Sequence, residues 1–466
     1  MSAGYRAVGG GGEECGIVSS VTHWDAEETR CWLALQFTGL AALYFARCFL
    51  VVSIVPMSVE LGWDERQCGI VLSAFYWGYV LTQVLGGSLS DRYGGDVVQW
   101  VAGVVWSLST LSSIYLAQVS IWPLVLARFL TGLAQGMHYP ALSSLVASKV
   151  PEQTKTKFFG VAHAGAFAGS MGVGIFGSLI IRWYHWKVLV LIASVLSLAW
   201  VACLRAFSVR HHNKTRYRLL DGRTLSPTSR LKLRVGPSDF VASCRKVPWR
   251  EILSHSSVIA YLCGFVTECS YAHIIPSWSP TFFNEVFPNR TASAWLYNGA
   301  PSLAMALGAS SGGVIINQLI VQKYDITFVR KMGSCICLLI PGVCLLLISV
   351  IGRGDENFYP TLFLLILSSY FFGYAPSSIS ANTIDLTPTY SGSLYGVANS
   401  LGTLPGVFAV PLIGYILHST GGNWTPVFLL QTSILFAGCL VFLAYGSSRR
   451  LELRDTPTAV AQSTSY

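Results

Sequence analysis

Residues 32–57 read WLALQFTGLAALYFARCFLVVSIVPM, a run with no acid and a single base, Arg47. A helix needs about 20 apolar residues to cross the ~30 Å hydrocarbon layer of a bilayer. This run is long enough, and comparable windows recur near 33–56, 68–89, 97–118, 120–146, 158–181, 188–204, 256–280, 295–319, 332–352, 358–380, 392–417 and 425–446. The chain is 52% hydrophobic and only 11% charged, against about 25% charged in a soluble domain. In lipid every backbone polar group must be satisfied internally, and windows of this length do so as helices. The fold class predicted is an all-α membrane protein of twelve transmembrane helices, numbered 1 to 12 below in chain order.

The acids Glu13, Glu14, Asp25, Glu27 and Glu28 precede the first apolar run. No short run ends at a small-residue cleavage site, so helix 1 reads as a retained anchor, not a signal peptide. An even number of crossings places both termini on one side. Of the 31 Lys and Arg, Arg47 and Arg128 fall within helices, and Arg66, Arg182, Lys187, Arg290 and Arg353 in the loops opposite the termini. The remainder lie on the side of the termini, which the positive-inside rule makes cytoplasmic. The net charge of +9 is therefore mostly topological, and no nucleic-acid partner is expected. The twelve cysteines form no CxxC pairs, so neither a disulfide framework nor a metal site is indicated, and no cofactor is expected. Asn289-Arg-Thr and Asn423-Trp-Thr fall in the opposite loops as candidate glycosylation sites, while Asn213-Lys-Thr falls on the cytoplasmic side.

The stretch 207–255 includes HHNKTRYRLLDGRTLSPTSRLKLRVGPSD, polar and basic with no apolar period. It reads as a cytoplasmic central loop between a first half, 32–206, and a second half, 256–446, with tails at 1–31 and 447–466. The halves repeat. Gly160-Val-Ala-His163 in helix 5 matches Gly396-Val-Ala-Asn399 in helix 11. With one residue inserted, Gly165, Gly169 and Gly177 match Gly402, Gly406 and Gly414. Small residues at such spacing let helix backbones approach closely. Two more motifs stand out: GSLSDRYGGD, Gly87 to Asp96, between helices 2 and 3, and RFLTGLAQG in helix 4, which places Arg128, Gly132 and Gly136 near one face. Asp91 and Arg92 suit a gate at the cytoplasmic ends of the halves, latched by charge-assisted bonds.

A charge at the centre of a membrane helix costs about 2.5–3.5 kcal/mol on insertion scales and faces a bundle interior or a cavity. Arg47 lies roughly 15 Å from the outer end of helix 1 and Arg128 roughly 12 Å from the outer start of helix 4, so the two are matched in depth. Helices 1 to 6 contain no acid within their predicted spans, and Glu268 in helix 7 is the one strong intramembrane acid expected. Two arginines with at most one counter-charge leave a positive cavity for an anionic cargo. The structural alternatives are that Arg128 binds carbonyls or Glu268 as a lock, and that Arg47 snorkels to the interface. Tyr44 and Tyr139 are candidates to stack on a ring of the cargo. Glu268 and, less so, His138 and His163 are candidates for proton coupling.

The loop motif resembles that of the major facilitator superfamily. Gly62 to Gly95, Ala46 to Val55, Arg128 to Leu145, Ser277 to Pro288 and Tyr395 to Val407 resemble, in order, the anion/phosphate cotransporter family of that superfamily, most closely its vesicular nucleotide transporter branch. Two departures from the loop pattern, Asp96 for a base and Asn317 for the acid of the 8–9 loop, imply a latch on one side only. The resemblance implies that the family's arginines of helices 1 and 4 are Arg47 and Arg128. The glutamate branch has an acid where this chain has Gln135 and a histidine where it has Leu72, which favours transport driven by membrane potential. Gln135 joins Arg47, Arg128, Tyr44 and Tyr139 as an expected substrate-binding residue. The implied function is movement of ATP and ADP into secretory vesicles or lysosomes, with a vesicular proton pump as functional partner and chloride as an activating ion. The alternative is a sodium- or proton-coupled organic anion, phosphate, sialic acid or glutamate transporter. A non-transporting receptor or scaffold is a remoter reading, and no nucleophile–base pair or phosphate loop suggests an enzyme.

Overall fold

The computed structural model describes residues 24–63, 65–221, 247–352 and 354–453. Helix 1 spans Ala26–Leu61 and starts before its apolar window because Asp25 and Glu28 form a capping box, with Glu27 and Glu28 in the first turn. Helices 2 (Glu65–Tyr93) and 3 (Gly95–Val119) are joined at Gly94, whose φ of 97° suits glycine. Helix 4 is broken into Ile121–Gly136 and His138–Lys149. Pro140 has no N–H for the Gly136 carbonyl, and the chain turns at Met137. Helix 5 runs over Lys155–Gly172, a π turn at Val173–Gly177 and Ser178–Trp183. Helix 6 spans Trp186–Asp221.

The second half repeats the pattern with helices 7 (Ser256–Val286), 8 (Ala294–Val321), 9 (Ile326–Ile351), 10 (Phe358–Phe372, then Pro376–Ser380 and Asn382–Leu386), 11 (Ser391–Ser419) and 12 (Thr425–Tyr445). Pro376 follows Pro140 at the separation that relates Gly396 to Gly160, so the break in helix 10 repeats that in helix 4. Among the described residues eleven helices are long and apolar enough to cross a membrane, and the broken helix 4 makes the twelfth. Helix 6 corrects the expected start of the central loop: its 36 residues reach about 54 Å, well beyond the bilayer core. Residues 222–246 of that loop, and most of both tails, lie outside the described residues.

Glycines set the packing within and between the halves. A Cβ on Gly165 would stand 2.1 Å from Phe37 O, and one on Gly169 2.2 Å from Ala41 O, so helix 5 lies directly on helix 1. Gly396 meets Gln83 O at 2.5 Å, drawing helix 11 onto helix 2, and Gly160 meets the Gly313 Cα at 2.9 Å, drawing helix 5 onto helix 8. Added methyls would collide with main chain that has no room to yield. On the face opposite the termini, Trp186 Nε1 donates to Glu60 Oε2 at 2.5 Å and Trp424 Nε1 to Glu285 Oε2 at 2.9 Å. One indole–carboxylate staple thus ties helix 1 to helix 6, and its copy ties helix 7 to helix 12. The indole bond holds the Glu60 carboxyl below its ordinary value, with smaller help from His185 and Lys187.

Trp24 N bonds Lys149 O at 2.9 Å and Leu451 N bonds Leu386 O at 2.9 Å, so the described ends of the chain share one face. The halves are latched there. Asp91 accepts from Gly392 N at 3.1 Å, from Ser393 N at 2.8 Å and from Ser393 Oγ at 2.7 Å, seating its carboxylate at the N-terminus of helix 11. Arg92 is exposed, with its guanidinium over the Tyr93 ring.

The expectation of a one-sided latch is corrected. Asn317 Oδ1 accepts from Lys157 N at 3.4 Å, near the start of helix 5, in the place that mirrors Asp91. The amide lacks the acid's charge but keeps its acceptor. Arg330 adds a second element: its Nη2 donates to Thr156 Oγ1 of the first half at 3.0 Å, while Nε bonds Asp385 Oδ2 at 2.8 Å and Nη1 bonds Ser377 O. This also corrects the expectation that only two basic residues lie within helices. Asp325 caps helix 9 at Ile326 and not near 332, which takes Arg330 into the helix, where it is 2% exposed.

Candidate functional site

The site is assembled by the tight packing of helices 2 and 4. A Cβ on Gly132 would lie 2.0 Å from Phe75 O, one on Gly78 2.1 Å from Phe129 O, and one on Gly136 2.5 Å from Tyr79 O. This contact carries Phe75 and Tyr79 against the arginines. The Arg47 guanidinium carbon lies 4.6 Å from the Tyr44 ring centre, 4.6 Å from that of Tyr79 and 4.9 Å from that of Phe75. The Arg128 carbon lies 5.4 Å from Phe75 and 5.6 Å from Phe49. Aromatic faces attract cations by about 0.5–2 kcal/mol, more as water is excluded. They steady the guanidinium groups, and the Tyr79 side chain also hydrogen-bonds Arg47.

Half of the six guanidinium nitrogens are buried without a partner. Arg47 Nε donates to Gln135 Oε1 at 3.3 Å, and Gln135 Nε2 donates to Leu43 O at 3.3 Å. Gln135 is fully buried and ties Arg47 to helix 1, so it holds the arginine in position. Arg47 Nη2 and Arg128 Nε and Nη1 have no hydrogen-bond partner, and among the described residues neither arginine pairs with a carboxylate. Arg128 is 3% exposed. A buried, unpaired guanidinium is costly, and an anion would supply the missing acceptors. Tyr76, at 41% exposure, stands within electrostatic reach of both arginines.

Tyr139 donates to Tyr44 Oη at 3.2 Å and stacks on Tyr395 of helix 11 with ring centres 6.3 Å apart. His163 bonds Phe159 O at 2.8 Å and meets Tyr395 Oη at 3.4 Å. The predicted pair Tyr44 and Tyr139 thus leads from Arg47 into the second half. His138 is buried against Trp106 and Trp200, and neither ring nitrogen has a hydrogen-bond partner. Glu268 is engaged neither by Arg47 nor by Arg128. Ser380 donates to its Oε1, and its Oε2 has no partner. Of the candidate glycosylation residues, Asn289 is exposed and donates to Asp355, while Asn423 Oδ1 is taken by Thr425 N at 3.0 Å.

The family model described as the Major Facilitator Superfamily matches residues 37–410. The chain belongs to the Major Facilitator Superfamily. It is 34% identical over 438 residues to the voltage-gated purine nucleotide uniporter SLC17A9 of Mus musculus, covering 93% of each chain. It is 33% identical to the Homo sapiens protein of that name, covering 93% of this chain and 96% of that one. A probable chloroplastic anion transporter 4 of Oryza sativa subsp. japonica is 27% identical, over 94% of this chain and 72% of its own. Among solved structures, the superfamily's proton:xylose symporter XylE superposes with a TM-score of 0.69 at 12% identity, over 91% of this chain and 98% of that one. The superfamily symporter FucP, in the outward conformation, gives 0.61 at 16% identity, over 90% of this chain and 100% of that one. As a superfamily member the chain is a multi-pass membrane transporter.

Sequence reasoning missed several parts of this superfamily member's machinery. Phe75 and Tyr79 look like ordinary apolar positions in helix 2, and only the backbone contact at Gly132 turns them toward the arginines. The Arg330–Asp385 pair was signalled by an acid and a base near the same face, but the start of helix 9 had to be placed correctly first.

Proposed function

We propose that the chain is an alternating-access carrier of nucleotide anions, ATP and ADP among them, driven by membrane potential into secretory or lysosome-related vesicles. The observation that carries this reading is the pair Arg47 and Arg128, with unfilled donors and no carboxylate partner among the described residues. Similarity to purine nucleotide uniporters of mouse and human supports the cargo class. In this reading both termini are cytoplasmic, the latch at Asp91 closes the cytoplasmic side, and the arginines are approached from the lumen. Each net negative charge moved down an inside-positive potential gains about 2.3 kcal/mol per 100 mV. A vesicular proton pump would supply that potential, and chloride is a second anion the cationic site suits. The test is uptake of labelled ATP into proteoliposomes. Uptake should follow an imposed inside-positive potential and collapse in Arg128→Ala; uptake unchanged in that variant would overturn the reading.

Glu268 favours one second reading. Its half-satisfied carboxyl, buried between helices 7 and 10, suits a proton carrier, and the chain would then be a proton-coupled organic anion transporter. Uptake driven by a pH gradient at zero potential, and lost in Glu268→Gln, would establish that reading over the first.

A further inference from the structure

Arg47 and Arg128 both belong to the first half, so a cargo that bridges the halves needs a contact on the second. In the register set by Glu60 and Glu285, the position of Arg47 falls on Ala272, adjacent to His273 on helix 7. His273 is half-buried. Its Nδ1 lies 2.6 Å from Cys269 O, and because a carbonyl only accepts, Nδ1 carries the hydrogen. That leaves Nε2 as the nitrogen free to meet a ligand; among the described residues it has no hydrogen-bond partner.

Helix 11 sets the ring in place. A Cβ on Gly406 would stand 2.7 Å from His273 Cδ2 and 3.3 Å from Nε2. In the first half the equivalent glycine, Gly169, has main-chain atoms of Ala41 as its nearest neighbours. The repeated glycine thus leaves room here for an imidazole. The charge of Arg47, although on the other half, acts on this ring. Among the charged groups of the described residues, Arg47 is the one whose charge reaches the ring. Helix 11 offers Gly406, and helix 7 itself offers Cys269. Glu268, five residues earlier and so about 140° around the helix, turns to Ser380 on helix 10.

We propose that His273 is the second half's contact to the anion, its Nε2 taking a proton from solvent as a phosphoryl oxygen of the cargo comes to lie between it and Arg47. The proposal rests on the reading of the arginines as an anion site. A bare Nε2 offers a phosphoryl oxygen only a lone pair. Once protonated it offers an N–H donor and a positive charge, which adjacent anionic oxygens favour. The bond formed is Nε2–H and the proton leaves hydronium, so the step needs no other reactant. A third cation would add to the two arginines in neutralising a polyphosphate.

The experiment is titration calorimetry of ATP into the purified full chain in detergent, near neutral pH, in two buffers with different heats of ionisation. The difference between buffers counts protons taken up on binding. Against His273→Gln, the wild type should take up more protons and bind roughly tenfold tighter, the loss expected for one charge-assisted hydrogen bond. Gly406→Ala, which displaces the ring but keeps it, should reproduce the lower proton uptake. It also serves as the second test should His273→Gln fail to fold. Proton uptake and affinity equal to wild type in both variants would overturn the proposal while leaving the anion site intact. Binding that Arg128→Ala does not weaken would instead overturn the anion site, and this proposal with it.

Discussion

Arg47 and Arg128, on helices 1 and 4, share one phenyl ring: their guanidinium carbons stand 4.9 and 5.4 Å from the centre of Phe75. Two like charges so close repel, and the ring between them gives each a favourable face in exchange. Phe75→Leu keeps an apolar side chain, somewhat smaller, and removes that face. Each cation–π contact contributes about 0.5–2 kcal/mol, so the KM for ATP in the liposome assay should rise roughly three- to thirtyfold. Thermal stability should fall modestly, by the cost of a small cavity. An unchanged KM would mean that the ring is packing alone.

The latch makes a prediction about populations. Asp91→Asn keeps an acceptor for Gly392 N and Ser393 N but loses the charge that faces the helix 11 N-terminus. A helix-terminus charge contributes about 0.3–2 kcal/mol. The variant should open more often on the termini face, and a cysteine placed at the buried Ser88, which bonds Ser393 at 3.3 Å, should react several-fold faster with a maleimide. Asn317→Asp should have the opposite effect.

Arg330 and Asp385 form a buried pair, with side chains 3% and 14% exposed. Removing one partner of such a pair strands the other and costs about 3–5 kcal/mol. Arg330→Ala should therefore melt well below wild type, and Arg330→Ala with Asp385→Asn should recover part of the loss. Lys155 and Glu152 offer a contrast. Lys155 is buried but Glu152 is 72% exposed, and because Gln keeps an acceptor for the ammonium, Glu152→Gln should lower the melting temperature far less than Arg330→Ala.

The staple at Glu60 bears on acid tolerance. Its carboxyl is held below its ordinary 4.5, chiefly by the Trp186 indole. A group whose value is lowered by folding contributes stability above its unfolded value and loses it as pH falls through the folded one. The staple should thus survive exposure to about pH 5. Trp186→Phe should move the Glu60 titration upward, a shift that carbon-13 NMR of labelled glutamate would detect.

Much of the fold was legible because lipid imposes strict rules on length and composition. Twelve apolar windows and the glycines shared by helices 5 and 11 were enough for two six-helix halves. Arg47 and Arg128 were legible as a pair because charge in an apolar run is conspicuous. Phe75, Tyr79 and His273 were not, since an aromatic or a histidine in a helix carries no label of the face it presents. The paired arrangement of Pro140 and Pro376 was present in the sequence, but it gains meaning only when both breaks are seen. The Asn317 contact was misjudged because a lost charge was taken for a lost bond, whereas an amide oxygen still accepts.

The prolines Pro140 and Pro376, the glycines of helices 5 and 11 and the two indole staples recur in both halves, but Arg128 has only Leu364 opposite it in that register. Frame and grip thus obey different symmetries. The bends and fastenings are built twice, whereas the paired arginines are built once, on the first half. A change of cargo can then be sought first in helices 1, 2 and 4 and in the facing surface of helix 7, while the doubled frame stays fixed.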